Sequence, residues 1–142
     1  MHRNIDQRRT GTWLARILTL LVIAAAWPAA HADGVNKLLF LVIEKDEVIA
    51  SNTLSGRFDP LELHAKERIE DYKVANAVAV VVTNQRYAAY AVPSSSWLSV
   101  RLLAQEKTES IQVEDYSATV VSNRRILNFY GRSGAWSETR RR

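Results

Sequence analysis

The 142-residue sequence contains no cysteine and only three histidines, three prolines and five glycines. Without cysteine the chain can form neither disulfides nor a cysteine-based metal site. His2 and His31 lie in an N-terminal segment that we expect to be removed, which leaves His64 alone. A single histidine cannot supply a histidine cluster for a metal ion within one chain. We therefore expect no metal site and no cofactor.

The chain also lacks a large surplus of positive charge once its N-terminus is set aside. Of its 19 basic and 15 acidic side chains, residues 1–32 hold four and one, which leaves 15 basic and 14 acidic. A nucleic-acid-binding domain needs basic residues clustered on one face, and only the terminal arginines, residues 140–142, form such a cluster. A short charged terminus is more often a solvated end. The charge distribution therefore argues against a nucleic-acid partner.

Residues 1–32 have the three parts of a secretory signal peptide. A start with four arginines precedes an apolar run at residues 17–27, and Ala30 and Ala32 give the segment an A-x-A ending. The run is shorter than the roughly 20 residues that a helix needs to span a bilayer, so no stable membrane span is expected after cleavage. The pattern predicts cleavage after Ala32 and a bacterial protein that is periplasmic or secreted. The alternative is a signal that is retained as a membrane anchor.

The segment Thr83–Trp97 recurs further along the chain as Ser122–Trp136. Both copies hold an asparagine, an arginine, an aromatic residue, a serine and a tryptophan at the same spacing. The matched pairs are Asn84 and Asn123, Arg86 and Arg125, Tyr90 and Phe129, Ser94 and Ser133, and Trp97 and Trp136. The repeat length is about 39 residues, which is within the range of known structural repeats. One more step of this length back places Phe58 at the position of Trp97. Residues 33–142 therefore form one repeat domain, with units at about 33–75, 76–114 and 115–142.

Each unit has the pattern of four short antiparallel strands separated by turn residues. In the middle unit, Ala77–Val82 is a continuous apolar run, which is typical of a strand buried on both faces. Further strands of this unit are expected at residues 86–92, 97–102 and 109–115. The stretch Pro60–Ala79 is rich in helix formers, but its repeat counterpart at residues 99–118 is much less so. Because copies of one unit should share one fold, we predict an all-β domain.

The third unit ends after its third strand, and the mature N-terminus offers a replacement for the fourth. Val35 is in register with Val74 and Val113, which belong to the fourth strands of the other units. We therefore expect Asp33–Val35 to lend a short strand to the last unit. Such a strand would join the two ends of the domain and cover open sheet edges.

Four strands per unit with a recurrent aromatic residue in the third strand resemble the blade of a β-propeller. The resemblance spans the mature chain and rests on the T/S-N-x-R turn, the aromatic residue of the second strand, and Phe58, Trp97 and Trp136. The first unit departs from the pattern, because Glu44–Glu47 replace the turn motif. Propellers have four to eight blades, so the resemblance implies that two chains can close a ring of six as a homodimer. The alternative is a β-trefoil, which closes three four-stranded units within one chain.

Two tryptophans and two arginines are the candidate ligand-binding residues. Trp97 and Trp136 can stack on sugar rings, although a tryptophan repeated in successive units more often packs between them. Arg86 and Arg125 can bind a carboxylate or phosphate through their planar guanidinium groups. An arginine after a tight turn more often pairs with a nearby acid, and glutamates recur at the same period. These are Glu67 and Glu106, and Glu70 and Glu109.

No catalytic residue is predicted. His64 has no counterpart in the other units, the serines at Ser94–Ser96 lack a nucleophile motif, and no spacing singles out a pair of carboxylates. We therefore expect a non-enzymatic exported module that acts by binding an unknown protein or as an envelope scaffold. The alternative is a small lectin that uses the four candidate residues to hold a glycan.

Overall fold

A computed structural model describes residues 37–141 as eleven strands in three antiparallel sheets, with no helix in this range. The first sheet contains β1 (Leu39–Ile43), β2 (Glu47–Asn52) and β3 (Arg57–Glu62). The second contains β4 (Ile69–Val74), β5 (Val78–Thr83), β6 (Arg86–Ala91) and β7 (Ser96–Arg101). The third contains β8 (Thr108–Val113), β9 (Ser117–Ser122), β10 (Arg125–Tyr130) and β11 (Ala135–Arg140). The predicted all-β class is confirmed.

The stretch Pro60–Ala79 forms strands and not the alternative helix. It contains the end of β3, all of β4 and the start of β5. Pro60 cannot donate a hydrogen bond to a ladder, and it lies on β3, which is an edge strand of the first sheet. Helix propensity is a weak preference that tertiary packing overrides. Here tertiary packing favours strands, because each repeat unit buries its apolar residues at the same strand positions.

Each sheet is a meander in which strands that follow one another in sequence are hydrogen-bonded neighbours. β8 pairs with β9 and belongs to the third sheet, because residues 114–116 form a tight turn while residues 102–107 form a longer connector between sheets. The sheets therefore begin one strand earlier than the repeat units placed from the sequence. Among the described residues, two sheets have four strands and the first has three. The third sheet has four strands without Asp33–Val35, so the expected strand from the mature N-terminus is not needed there. Asp33–Val35 itself lies outside the described range.

The core lies between consecutive sheets, with the second sheet in the middle. All six residues of β5 are buried, as the continuous apolar run predicted. Val78, Val80 and Val82 pack in one cluster with side chains of the third sheet. Ala79 and Val81, which alternate with them, pack in clusters with side chains of the first sheet. The second sheet is thus apolar on both faces because it is covered on both.

Gly131 allows the second and third sheets to approach closely. A Cβ atom at this position would lie 2.8 Å from Cγ2 of Val78 and 3.1 Å from Cβ of Ala91. Both neighbours belong to the second sheet, and the position follows β10 directly. A larger side chain would force these two sheets apart.

The N-terminal segment predicted as a signal peptide, residues 1–32, lies outside the described residues. Within residues 37–141, no helix is long and apolar enough to cross a membrane.

Candidate functional site

Arg86 joins the first sheet to the second. Its Nε and Nη2 atoms donate to Oε1 and Oε2 of Glu67 at 2.8 and 3.1 Å. Nη2 also donates to the carbonyl oxygen of Glu62 at 2.6 Å. Glu67 lies in the connector at residues 63–68, and Glu62 ends β3. The guanidinium therefore ties β3, the connector and β6 together.

Arg125 makes the same contacts between the second and third sheets. Its Nε and Nη2 atoms donate to Oε1 and Oε2 of Glu106, both at 3.0 Å, and Nη2 donates to the carbonyl oxygen of Arg101 at 2.7 Å. Nη1 adds a hydrogen bond to the carboxylate of Glu138 on β11. Burial lowers the pKa of Arg125, but Glu106 and Glu138 outweigh it and leave the pKa raised. The side chain is 4% exposed, against 14% for Arg86, so its charge depends more fully on these partners.

The two glutamates also hold their own connectors. Oε2 of Glu67 accepts from the backbone N–H of His64, and Oε1 accepts from the Thr83 hydroxyl, both at 2.7 Å. Burial raises the pKa of Glu67, but these donors and Arg86 outweigh it, so the pKa lies below its usual range. Glu106 is bonded in the same way by Leu103 N–H and the Ser122 hydroxyl, and its pKa is lowered for the same reasons.

The two candidate tryptophans lie between sheets. Trp97 on β7 donates its indole N–H to the carbonyl oxygen of Asp59 on β3 at 2.9 Å, and its ring packs on Tyr90 with 5.4 Å between centroids. Trp136 on β11 donates to the carbonyl oxygen of Leu98 on β7 at 3.0 Å, and its ring packs on Phe129 at 5.2 Å. Both indoles are half-buried. Each tryptophan therefore links its own sheet to the preceding one.

The four candidate residues do not form one site. Arg86 and Trp97 lie where the first sheet meets the second, and Arg125 and Trp136 lie where the second meets the third. In each residue, the polar groups that a ligand would need are already bonded to the protein. The structure thus contains two equivalent inter-sheet contacts. We call the contact made by Arg86 and Trp97 the first seam, and the contact made by Arg125 and Trp136 the second seam.

A buried polar network at the first seam was not predicted from the sequence. The side-chain amide of Asn52 donates to the Tyr90 hydroxyl at 3.3 Å and to the Ser95 hydroxyl at 3.2 Å, and the Tyr90 hydroxyl donates to Asp59 at 2.6 Å. Burial raises the pKa of Tyr90, and its hydrogen bond to Asp59 raises it further. The repeat gave no sign of this network, because Ala91 stands at the position of Asn52 in the next unit.

The sequence also failed to predict an exposed apolar surface on the first sheet. Phe58, expected to pack as the tryptophans do, is 70% exposed, because no sheet precedes the first one among the described residues. Strand alternation places five neighbours on the same face, and cross-strand pairing joins them in two rows. We call this surface the open face; it consists of Phe40, Val42, Ile49, Ser51, Phe58 and Pro60.

The polar groups considered for catalysis or metal binding have structural partners. His64 is 63% exposed, and its Nδ1 atom lies 3.5 Å from Oε2 of Glu67, which also accepts from Arg86. The hydroxyls of Ser94 and Ser95 donate to backbone carbonyl oxygens of the same turn. Within residues 37–141, no group of three histidine, aspartate or glutamate side chains could hold a metal ion.

Comparisons with known proteins add little. No protein-family profile matches the chain, and no curated protein matches it. A solved structure of the N-terminal domain of Nup159 is similar at a TM-score of 0.35 and 15% identity, over 70% of this chain and 29% of that chain. This chain thus spans less than a third of the length of that structure.

Proposed function

We propose that this protein is an exported β-repeat module that acts by binding another protein chain, and that its three sheets are propeller-like blades. The observation that carries the proposal is the open face of the first sheet. Phe40 is 46% exposed and Phe58 is 70% exposed, and their neighbours on the face are mostly apolar. A contiguous apolar surface on a folded protein usually marks an interaction site.

Blades are favoured over the trefoil by the way the sheets are built. Each sheet is a separate meander, and each packs face to face on the next, with the same contacts recurring along the chain. Successive blades of a propeller have this arrangement, whereas a trefoil closes a barrel with strands from all three units. Rings of four to eight such blades are typical.

Binding is favoured over catalysis by the partners of the polar side chains. The carboxylates of Glu67 and Glu106 are held by arginine, and the one histidine of the repeat domain is exposed beside an acid that is already bonded. The lectin alternative has less support, because the indole N–H groups and guanidinium groups that it needs are bonded across the two seams.

Site-specific photocrosslinking tests the proposal. The full chain is expressed in cells with the photoreactive residue p-benzoylphenylalanine in place of Phe58, or in place of Leu54 as a control. Leu54 is equally exposed, at 72%, but lies in the turn between β2 and β3. We expect irradiation to give a protein adduct from position 58 and little from position 54. Equal adducts from both positions, or none from position 58, would contradict protein binding by the open face.

A further inference from the structure

The two seams repeat each other residue by residue, with the spacing of the sequence repeat. Trp97 and Trp136 donate to the carbonyl oxygens of Asp59 and Leu98, each 38 residues earlier. Arg86 and Arg125 donate to those of Glu62 and Arg101, each 24 residues earlier. The two seams are therefore equivalent: in each, one face of a sheet packs on the opposite face of the preceding sheet. The repeat identifies the residues of both faces on every sheet.

The open face of the first sheet is one half of such a seam. Pro60 is matched by Ser99 and Glu138, which are exposed. The other five residues, Phe40, Val42, Ile49, Ser51 and Phe58, are matched in the second sheet by Ala79, Val81, Ala88, Tyr90 and Trp97. In the third sheet the matching residues are Ala118, Val120, Leu127, Phe129 and Trp136. Apart from the two half-buried tryptophans, the residues of the second and third sheets that match these five are all buried, against the sheet that precedes each. The first sheet thus carries an apolar face whose counterparts on the second and third sheets are both covered by a neighbouring sheet.

The other half of a seam is present, uncovered, on the third sheet. We call it the tail face; it consists of Ser117, Thr119, Val121, Ile126, Asn128 and Tyr130. These residues match Val78, Val80, Val82, Tyr87, Ala89 and Ala91, which are buried in the second seam. Tyr130 and Ile126 are exposed, and no sheet follows the third among the described residues.

We infer that a second copy of this chain covers the open face with its tail face, forming a third seam between chains. This inference rests on the proposed function and names its partner. The contact joins two different surfaces, so it is head-to-tail. Two copies that each use both faces would form a closed ring of six sheets, a number within the range of known propellers.

The third seam would lack the arginine that crosses each of the other two. Glu47 takes the position of Arg86 and Arg125, at the end of the open face. By this equivalence, position 47 faces the carbonyl oxygen of Arg140 on the partner, which matches the Arg101 carbonyl oxygen that accepts from Arg125. Arg141 matches Leu102, but its guanidinium is bonded within its own chain, to the Glu109 carboxylate and to the Ser122 carbonyl oxygen. Glu47 therefore contributes no attraction at this seam, because a carboxylate cannot donate to a carbonyl oxygen.

The polar residues of the tail face suit an interface between chains better than a core. The Thr119 hydroxyl donates to Oδ1 of Asn128 at 3.3 Å, and the Ser137 hydroxyl donates to the Asn128 carbonyl oxygen at 3.4 Å. These groups are already partly satisfied on the protein surface, so covering them costs less than burying unpaired groups. Interfaces between separately folded chains are more polar than domain cores and routinely contain such hydrogen-bonded groups.

The solution mass of the purified protein tests the inference. The full chain is expressed with its own N-terminus, and light scattering after size exclusion compares the assembly with the intact mass of one chain. We expect twice the single-chain mass for the unmodified protein. Phe58→Arg should halve this value, whereas the control Leu54→Arg should not, because Leu54 is equally exposed but its counterparts Pro93 and Arg132 lie outside both seams, exposed to solvent. Circular dichroism checks that both variants are folded.

Mixing two variants tests the head-to-tail orientation. Asn128→Arg blocks the tail face at the position matched by the buried Ala89, so it should also give a single-chain mass. A mixture with Phe58→Arg should recover a two-chain species, because each variant keeps the face that the other has lost. If Asn128→Arg alone stays dimeric, the contact does not use the tail face and the inference is wrong.

Restoring the arginine of the repeat at position 47 is a further test. Glu47→Arg should lower the dimer dissociation constant about tenfold, because the new arginine can donate to the Arg140 carbonyl oxygen as Arg86 and Arg125 donate to theirs. A dissociation constant that stays unchanged or rises would contradict the equivalence of the third seam to the other two.

The outcomes separate this inference from the proposed function. A single-chain mass at every concentration, or a larger assembly than two chains, overturns the closed dimer. If photocrosslinking at position 58 then captures a different protein, binding by the open face stands and self-association does not. If photocrosslinking at position 58 instead gives an adduct with a second copy of this chain, attached through a peptide of the third sheet, the proposed function and the inference both stand.

Discussion

Arg125 and Glu106 form a two-point ion pair, with Nε and Nη2 each 3.0 Å from a carboxylate oxygen. Arg86 and Glu67 repeat this pair one unit earlier, and in both pairs the carboxylate side chain is fully buried. The pair spans a connector and two sheets, so it fixes how one sheet packs on the next. The contribution of this pair to the free energy of unfolding can be measured directly.

Removing the arginine of the more buried pair should destabilise the fold strongly. We expect Arg125→Met to lower the free energy of unfolding by about 3–5 kcal/mol, because it leaves the Glu106 charge buried without its partner. Arg86→Met should cost less, since Arg86 is more accessible. Urea unfolding followed by circular dichroism gives both values. Arg124→Met, at an exposed neighbouring position, is the control and should change stability by less than about 0.5 kcal/mol. A cost for Arg125→Met no larger than that of the control would contradict the role of the pair.

The lowered pKa values of Glu67 and Glu106 predict a loss of stability in acid. In the unfolded chain both groups titrate near the usual glutamate pKa of about 4.3, and in the folded chain their pKa values are lower. Between these values the unfolded state binds more protons, so the stabilisation is complete above the unfolded pKa and falls as the pH drops through the folded pKa. Unfolding free energies measured from pH 7 downward should show this fall. The double variant Glu67→Gln and Glu106→Gln should have a shallower acid dependence, and an unchanged slope would contradict the assignment.

The indole hydrogen bonds predict unequal costs for replacing the two tryptophans. Trp97→Phe should lower the free energy of unfolding by about 1–2 kcal/mol, because it removes the donor to the partly buried Asp59 carbonyl. Trp136→Phe should cost less, because its bond to the Leu98 carbonyl is exposed to water. Chemical unfolding followed by far-ultraviolet circular dichroism compares the two. Tyr72→Phe, which removes a polar tip from an exposed ring, should have almost no effect. A larger loss of stability for Trp136→Phe than for Trp97→Phe would contradict this explanation.

Export and cleavage of the N-terminal segment are a further prediction. When the full chain is expressed in a bacterial host, the protein recovered from the periplasm or medium should begin at Asp33. Intact mass spectrometry and N-terminal sequencing identify the start. Replacing Ala30 and Ala32 together with bulky residues should block processing, because the peptidase requires small side chains there. Recovery of the uncleaved chain in the membrane fraction would favour the anchor alternative.

The repeat made much of the fold predictable. Trp97 and Trp136 share a position because both cross a seam, and the apolar run at Ala77–Val82 is buried on both faces. Local pattern sufficed at these places because strand alternation and repeat spacing are properties of the chain itself. The arginines were harder to interpret, since a guanidinium beside a turn can face a ligand or a carboxylate.

Other features could not be predicted because they depend on which faces meet. Nothing local to Asn52 indicates that its amide will reach Tyr90 and Ser95 in another sheet. The membership of β8 in the third sheet depends on which of its two flanking connections is the tighter turn, and neither connection contains glycine or proline to mark it.

The sequence by itself determined the length of the repeat, the strand class and the two faces of every strand. These follow from side-chain alternation and from the similarity between units, which are local properties. Only the tertiary structure decided that Arg86 and Arg125 hold connectors and that Phe58 is left exposed on the first sheet. The physical reason is that alternation tells which side chains share a face, whereas the packing of whole sheets decides whether that face is covered.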